Sequence, residues 1–401
     1  MTNLDRNLFD PIIQRYFVID SVTEGEVRSK PYMLYTGHFI NNEVEEAHVQ
    51  LVDYLNPHGI MPLFREQDGK PAIILTESMQ SPVNAKPILN LILFILTLLS
   101  VLLSGALYAL GAEQTTTNNL WLDLYHNLGK GWPFALSLLA ILGAHEFGHY
   151  LAGRYHHTNV TLPFFIPFPF STFGTMGAFI QMKDLPKNRK HLLDIAVAGP
   201  LAGMLVAIPV LIVGLILSEV QPLPSAIAAG QAFQLEGNSL LYLFLKWITK
   251  GQLLPSPASL NGMSPFIFWI RYFFTGQPLP LGGMDVMLHP MAWAGWAGLL
   301  VTSLNLLPAG QLDGGHIFYV LFGSRGSKRI LPIVLLALIG LGFVWNGWWL
   351  WAILIFFLGR THAEPMDQIT DLDQKRKWLG IFTLVIFFLV FTPVPLIIVG
   401  M

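Results

Sequence analysis

The sequence predicts an all-α polytopic membrane protein with about seven transmembrane helices, preceded by a small soluble α+β domain. Three observations predict it. Of 401 residues, 53% are hydrophobic and only 12% charged, about half the charge of a soluble globular chain. From Pro87 onward long apolar runs recur, and about 20 such residues suffice to cross a hydrocarbon core. Residues 1–86, by contrast, alternate polar and apolar positions and hold much of the charge. The expected division is therefore an accessory domain at 1–86 and a membrane unit at 87–401.

The balance of 23 basic against 25 acidic residues, net −2, gives no polyanion-binding character, and nucleic acid is excluded as a partner. The absence of cysteine removes disulfides, Cys-ligated zinc, iron–sulfur clusters and thiol nucleophiles. Any metal site must then use His, Asp and Glu. Residues 1–10 carry Asp5, Arg6 and Asp10 without an apolar run, so no cleaved signal peptide is expected. The amino terminus is assigned to the cytosol, and the location to a bacterial plasma membrane.

In the accessory domain, Tyr16–Asp20, Tyr32–Ile40 and Ala72–Thr76 read as strands. Glu43–Leu55 reads as a helix, with Val44, Ala47, Leu51 and Leu55 at helical spacing. Pro87–Ala109 is the first expected span, followed by Pro133–Gly153, Leu192–Leu217, Pro290–Leu307, Ile330–Val344, Trp348–Leu358 and Leu379–Val399. The stretch Trp345-Asn346-Gly347-Trp348-Trp349 separates two of these as an interfacial turn. The excess of Lys and Arg in Arg154, Lys183, Lys187, Arg189 and Lys190 places that loop inside, with Arg325, Lys328, Arg329 and the stretch 360–377. The poorly basic stretch 111–132 falls outside, as does the carboxyl terminus. Residues 218–289 are expected outside, with Leu240–Ile248 and Phe266–Phe274 too short to span. Thr161–Met182 is apolar but punctuated by Pro163, Pro167, Pro169, Gly174 and Gly177. Either a re-entrant hairpin or a loop resting on the membrane fits it.

The chemistry concentrates in Ala144-His145-Glu146-Phe147-Gly148-His149. On a helix, His145 and His149 share one face and reach one zinc ion, and Glu146 lies beside a water bound there. Ionisable groups inside an apolar helix cost about 2.5–3.5 kcal/mol each on the insertion scale and usually have a task. A catalytic zinc takes three protein ligands, and Asp313 is the candidate third. It follows the fourth span in Asn305-Leu306-Leu307-Pro308-Ala309-Gly310-Gln311-Leu312-Asp313-Gly314-Gly315, on the same expected side as the histidine pair. His316 is the rival ligand. His156 and His157 read as interfacial, and His289 falls on the opposite side. Gly199 and Gly203, at small-x-x-x-small spacing, read as helix packing.

These residues resemble the site-2 proteases, zinc metalloproteases that cut transmembrane helices within the bilayer. The resemblance rests on the His-Glu-x-x-His motif and on Asn305, Pro308, Leu312, Asp313, Gly314 and Gly315. It extends through Phe173–Ala178 and Ala198–Gly203, covering residues 133–320. Many members have Pro where this chain has Gly310; the cyanobacterial and chloroplast branch, which lacks a PDZ segment as this chain does, tolerates Gly. The resemblance implies one zinc ion held by His145, His149 and Asp313. It implies Glu146 as general base and then acid, and Asn305 as a hydrogen-bond donor to the substrate carbonyl or oxyanion. The implied partners are transmembrane protein substrates and the lipid bilayer, with the cut near the cytosolic leaflet.

Two rivals remain at this point. Another integral-membrane zinc peptidase would take its third ligand from a downstream glutamate, for which Glu219 and Glu236 are the candidates. A non-hydrolytic transporter or metal-binding receptor would not need Glu146.

Overall fold

The structure is a computed structural model and describes residues 6–27, 30–41, 43–78, 87–112, 119–226, 233–260, 262–359 and 364–399. Asp5, Arg360 and residues 113–118 of the expected outer loop lie outside the described residues. The amino-terminal domain runs α1 (Arg6–Ile13), β1 (Phe17–Val27), β2 (Lys30–Phe39), α2 (Val44–Leu55), β3 (Ile60–Gln67) and β4 (Lys70–Glu77). The four strands form one antiparallel sheet in the order β1-β2-β4-β3. Phe17, Tyr35, Phe64, Ile73 and Leu75 of the sheet bury against Phe9 and Ile13 of α1 and Leu51 and Leu55 of α2. The expected strands overlap β1, β2 and β4, with Tyr16 and Ile40 just outside β1 and β2, and the expected helix is α2 with Glu43 as its N-cap. Sequence reasoning missed α1 and β3, which carry Pro11 and Pro62, residues that ordinarily argue against a helix or strand interior.

The apolar part begins with α3 (Pro87–Ala112), α4 (Leu120–Asn127) and α5 (Trp132–Tyr155). The hairpin β5 (Phe164–Pro167) and β6 (Thr175–Phe179) leads into α6 (Arg189–Leu217). Next come β7 (Glu219–Pro222), β8 (Phe233–Glu236), α7 (Leu240–Lys250), α8 (Pro265–Thr275) and β9 (Met284–Met287). The chain closes with α9 (Pro290–Asn305), α10 (Asp313–Gly342), α11 (Gly347–Leu358), α12 (Gln374–Val390) and β10 (Leu396–Val399). Helices α5, α6 and α9 share the central core, where Leu138 and Leu142 meet Ala207, Leu211, Trp296 and Leu299.

The helices do not confirm the expected count of seven spans. Among the described residues, three helices are long and apolar enough to cross a membrane: Pro87–Gly111, Leu122–Tyr155 and Arg189–Leu217. Helix α9 has 16 residues, about 24 Å at 1.5 Å per residue, and α11 has 12. Helix α10 breaks at Gly323, whose φ of 71° is outside the helical range. The basic trio Arg325, Lys328 and Arg329 therefore lies on a helix, where a loop was expected. The expected span Leu379–Val399 stops as α12 at Val390, because Pro393 and Pro395 cannot continue it. Residues beyond them pair as β10 with β8. The break before α11 falls at Phe343–Asn346 and shares Trp345 and Asn346 with the expected interfacial turn, whose Gly347, Trp348 and Trp349 open α11 instead.

Between α5 and α6 the chain forms a hairpin in which β5 and β6 pair antiparallel. It lies along α3: Asn90 Nδ2 donates to the carbonyls of Leu162 and Pro163, and Ser100 Oγ donates to that of Gly174 near the tip. Asn90 and Ser100 are about 15 Å apart along the helix. The hairpin therefore runs along an apolar helix over that length. At one end of the bundle the amino-terminal domain meets the 183–190 loop and the 364–373 connector, through Glu45–Lys190 and Arg65–Met366.

Candidate metal centre

Helix α5 carries His145, Glu146 and His149, all buried. His145 Nε2 and His149 Nε2 stand 3.2 Å apart, and Asp313 Oδ2 lies 3.3 Å from each. The three donor atoms thus form a nearly equilateral triangle. With metal–ligand distances of about 2.0–2.1 Å, tetrahedral geometry requires donor separations of about 3.3–3.4 Å, which the triangle meets. The local chemistry also fits a cation. His149 Nδ1 lies 2.8 Å from the Ile195 carbonyl oxygen, which accepts its proton and leaves the Nε2 lone pair directed at Asp313. Two electron-rich atoms converge there. Among the described residues, His145, His149 and Asp313 are the one group with metal-ligand spacing.

Each side chain is positioned by a separate feature of the chain. The four-residue spacing on α5 stacks the histidines on one face. Asp313 is the first residue of α10, brought in by the turn after α9. Gly310 in that turn has a φ of 58°, a left-handed conformation that Pro, locked near −65°, cannot adopt. The departure from the commoner Pro is therefore built into this turn. Asn305, the last residue of α9, sets its Nδ2 at 3.2 Å from His145 Nε2, beside the ligand atoms. A cavity of about 180 Å³ opens on the triangle and on Glu146, with Ala178 and Phe179 of β6 and Ile180 just beyond its end forming part of its wall.

Two contributors were not anticipated. The first is the Ile195 carbonyl, which no side-chain pattern announces. The second is Gly199, assigned to packing from the sequence. A Cβ there would overlap the His149 imidazole, and one at Gly203 would press on His145. The glycine pair repeats at the same interval of four as the histidines they face, and that match is legible in the sequence. Gly199→Ala is expected to displace His149 and lower zinc affinity at least tenfold, a magnitude typical of lost support around a ligand. Helicity should be unchanged, since Ala favours a helix. Competition titration against a zinc chelator, with circular dichroism, checks both.

The remaining candidates separate cleanly. His316 lines the cavity but stands outside the ligand group. His156 pairs with Asp194 at 2.9 Å, and His289 caps α9 through Met291 N. Glu219 is exposed and bonded to Gln221. Glu236 accepts from Tyr242 at 2.9 Å and lies 3.7 Å from the fully buried Lys246, so neither glutamate serves the metal group.

Glu236 has a separate consequence. Burial, reinforced by Asp285, pushes its carboxyl up to about 7, so the folded state favours the protonated form. The stability this contributes is fully present below the ordinary carboxylate range and is lost as pH rises through the raised value. The midpoint of thermal unfolding should therefore fall as pH rises from about 4.5 to 7, and Glu236→Gln should flatten that slope.

The fold and the centre define a group of three side chains that could hold a metal ion, enclosed among apolar helices. Comparison with known proteins agrees: residues 133–344 of the 401 match Peptidase family M50. Probable zinc metalloprotease EGY2, chloroplastic, of Oryza sativa subsp. indica is 28% identical over 381 residues, 93% of this chain and 61% of that protein. The Arabidopsis thaliana protein of the same name is 30% identical over 278 residues, 68% of this chain and 44% of its own. Probable zinc metalloprotease EGY1, chloroplastic, of Oryza sativa subsp. japonica is 32% identical over 266 residues, 66% of this chain and 40% of its own. The chain thus spans about three fifths of the first relative's length and less than half of the other two. No solved structure matches it. The chain belongs to peptidase family M50, a family of intramembrane zinc metalloproteases. Because these relatives are chloroplastic by name, they give the expected bacterial plasma membrane no support.

Proposed function

We propose that this protein hydrolyses peptide bonds inside transmembrane segments of membrane-protein substrates, near the cytosolic leaflet, with its amino-terminal domain in the cytosol. The observation that carries the reading is the buried ligand triangle with Glu146 beside it, opening on a cavity walled by β6 and apolar helices. His149 lies about 9 Å and His145 about 15 Å inside the end of α5, a depth within an apolar helix rather than at its mouth.

His145, His149 and Asp313 would hold the zinc ion, which when bound supplies Lewis-acid activation of water and of a peptide carbonyl. Glu146 accepts the proton from the attacking water at its carboxylate and returns it to the leaving amine nitrogen. Asn305 Nδ2 donates to the carbonyl oxygen as negative charge develops on it. A helical substrate must first unwind, and its freed backbone groups need partners in a low-dielectric setting. Among the described residues β6 pairs only with β5, so its other edge can accept the unwound segment as an added strand. Met176 and Phe179, exposed on β6, offer apolar contact to its side chains.

The non-hydrolytic reading does not account for a buried carboxylate at position 146 that belongs to no ligand group. Reconstitution in liposomes with a tagged transmembrane substrate tests the proposal. Cleavage should stop on chelation and resume on adding zinc. Cleavage that persists in chelator would overturn it.

A further inference from the structure

Segment 364–373 joins α11 to α12, and its first half is built into the amino-terminal domain. Phe64 N donates to the Met366 carbonyl at 2.9 Å, and Gln368 N donates to the Phe64 carbonyl at 3.1 Å. Residues around Asp367 thus run parallel to β3, the edge strand of the sheet. Arg65 Nη1 donates to the carbonyls of Pro365 and Met366 at 3.0 and 2.8 Å, and Ile369 packs on the domain's core. The opposite edge of the same segment binds the chain just before α6. Met366 N donates to the Pro186 carbonyl at 2.8 Å, and Asp367 N donates to that of Lys187 at 2.9 Å.

From that ladder a continuous set of contacts reaches the metal ligands. Glu45 on α2 accepts from Lys190 Nζ at 2.6 Å and from Asn188 Nδ2 at 3.0 Å. Asn188 Oδ1 caps α6 by accepting from His191 N. Asp194, one turn on, pairs with His156 at the end of α5 and accepts from Arg376 Nε and Nη2 at the start of α12. Its neighbour Ile195 supplies the carbonyl that orients His149. Asn188 and Ile195 are about 10 Å apart along α6.

We propose that the amino-terminal domain is a positioning module: docked through Glu45, Arg65 and the 364–370 strap, it holds the α5–α6–α12 junction that keeps the Ile195 carbonyl on His149. This rests on the proteolytic reading for its activity arm but not for its metal arm. The domain has its own hydrophobic core, separate from that of the helices, so it can leave without either core unfolding. Apart from Ile369 its docking contacts are polar, the kind of interface across which domains move relative to each other. Undocking frees α6 at its first turn and loosens the support of one ligand. The effect passes through an intermediate carbonyl, so it should be milder than loss of that carbonyl itself, which typically changes metal affinity by about 10–100-fold.

The test uses the full chain in liposomes. Because it contains no cysteine, a spin-label pair at Val49→Cys and Leu185→Cys reports docking without other sites. Glu45→Lys/Arg65→Ala should broaden the label distance, speed zinc release to a chelator about three- to tenfold, and lower kcat/KM on a transmembrane substrate at least fivefold. The charge swap Glu45→Lys/Lys190→Glu should restore all three relative to Glu45→Lys alone. Undocked labels with wild-type zinc release would overturn the proposal, as would loss of activity or faster release with the labels still docked. A wild-type chain that cuts nothing would count against the proteolytic reading instead, and the labels and zinc release would still decide this one.

Discussion

Replacing Glu146 by Gln is expected to abolish the proposed proteolysis, by about a thousandfold or more on the scale of a lost general base, and to leave the zinc content unchanged. The amide keeps the shape and burial of the carboxylate but cannot take a proton from water. Because Glu146 is not one of the three converging donors, its loss leaves the ligand triangle intact. Metal analysis and a cleavage assay on the same preparation check both halves. An inactive, metal-free variant would instead mean that Glu146 supports the metal. That result would be at odds with the geometry.

Asp313→Ala is expected to give the complementary result: zinc affinity should fall at least a hundredfold and activity with it. The triangle loses its only anionic donor, and the two imidazoles are left 3.2 Å apart with no third ligand to complete the site. Competition titration against a chelator of known affinity measures the loss, and restoring activity with excess zinc would show that the chemistry itself survives. Asp313→Asn should lie between wild type and Ala, since a carboxamide oxygen coordinates without charge. Equal zinc affinity in wild type and Asp313→Ala would remove the residue from the ligand set.

The convergence of the candidate ligands was more legible than the topology, for a physical reason. His145, Glu146 and His149 sit at a spacing that one helix turn enforces, so their meeting depends on local structure alone. Asp313 needed the side assignment from basic loops to bring it to the same depth, and in the structure it lies 3.3 Å from both imidazoles. Ile195 was not readable because backbone carbonyls carry no signature in side-chain pattern. Gly199 was readable as a close-packing site, but the partner it makes room for was not.

The spans were harder because hydropathy does not distinguish a helix facing lipid from one buried among helices. Helix α9 is apolar as far as Val301 and mostly buried, yet only 16 residues long. Gly323 breaks α10 with a backbone angle that no periodicity announces. The C-terminal apolar run conceals a change from helix to strand, which Pro393 and Pro395 mark. In the amino-terminal domain, β3 was lost to its proline, although it proves to be the edge on which the 364–370 strap lies.

The most direct measurement of the central claim is mass-spectrometric mapping of the cut in a transmembrane substrate reconstituted with the full chain in liposomes, wild type against Glu146→Gln, with zinc quantified in each sample. The account predicts a cut within the apolar segment, towards its cytosolic end, made by wild type alone with equal zinc in both. Cutting by Glu146→Gln, or cleavage confined to the soluble flanks of the substrate, would contradict it.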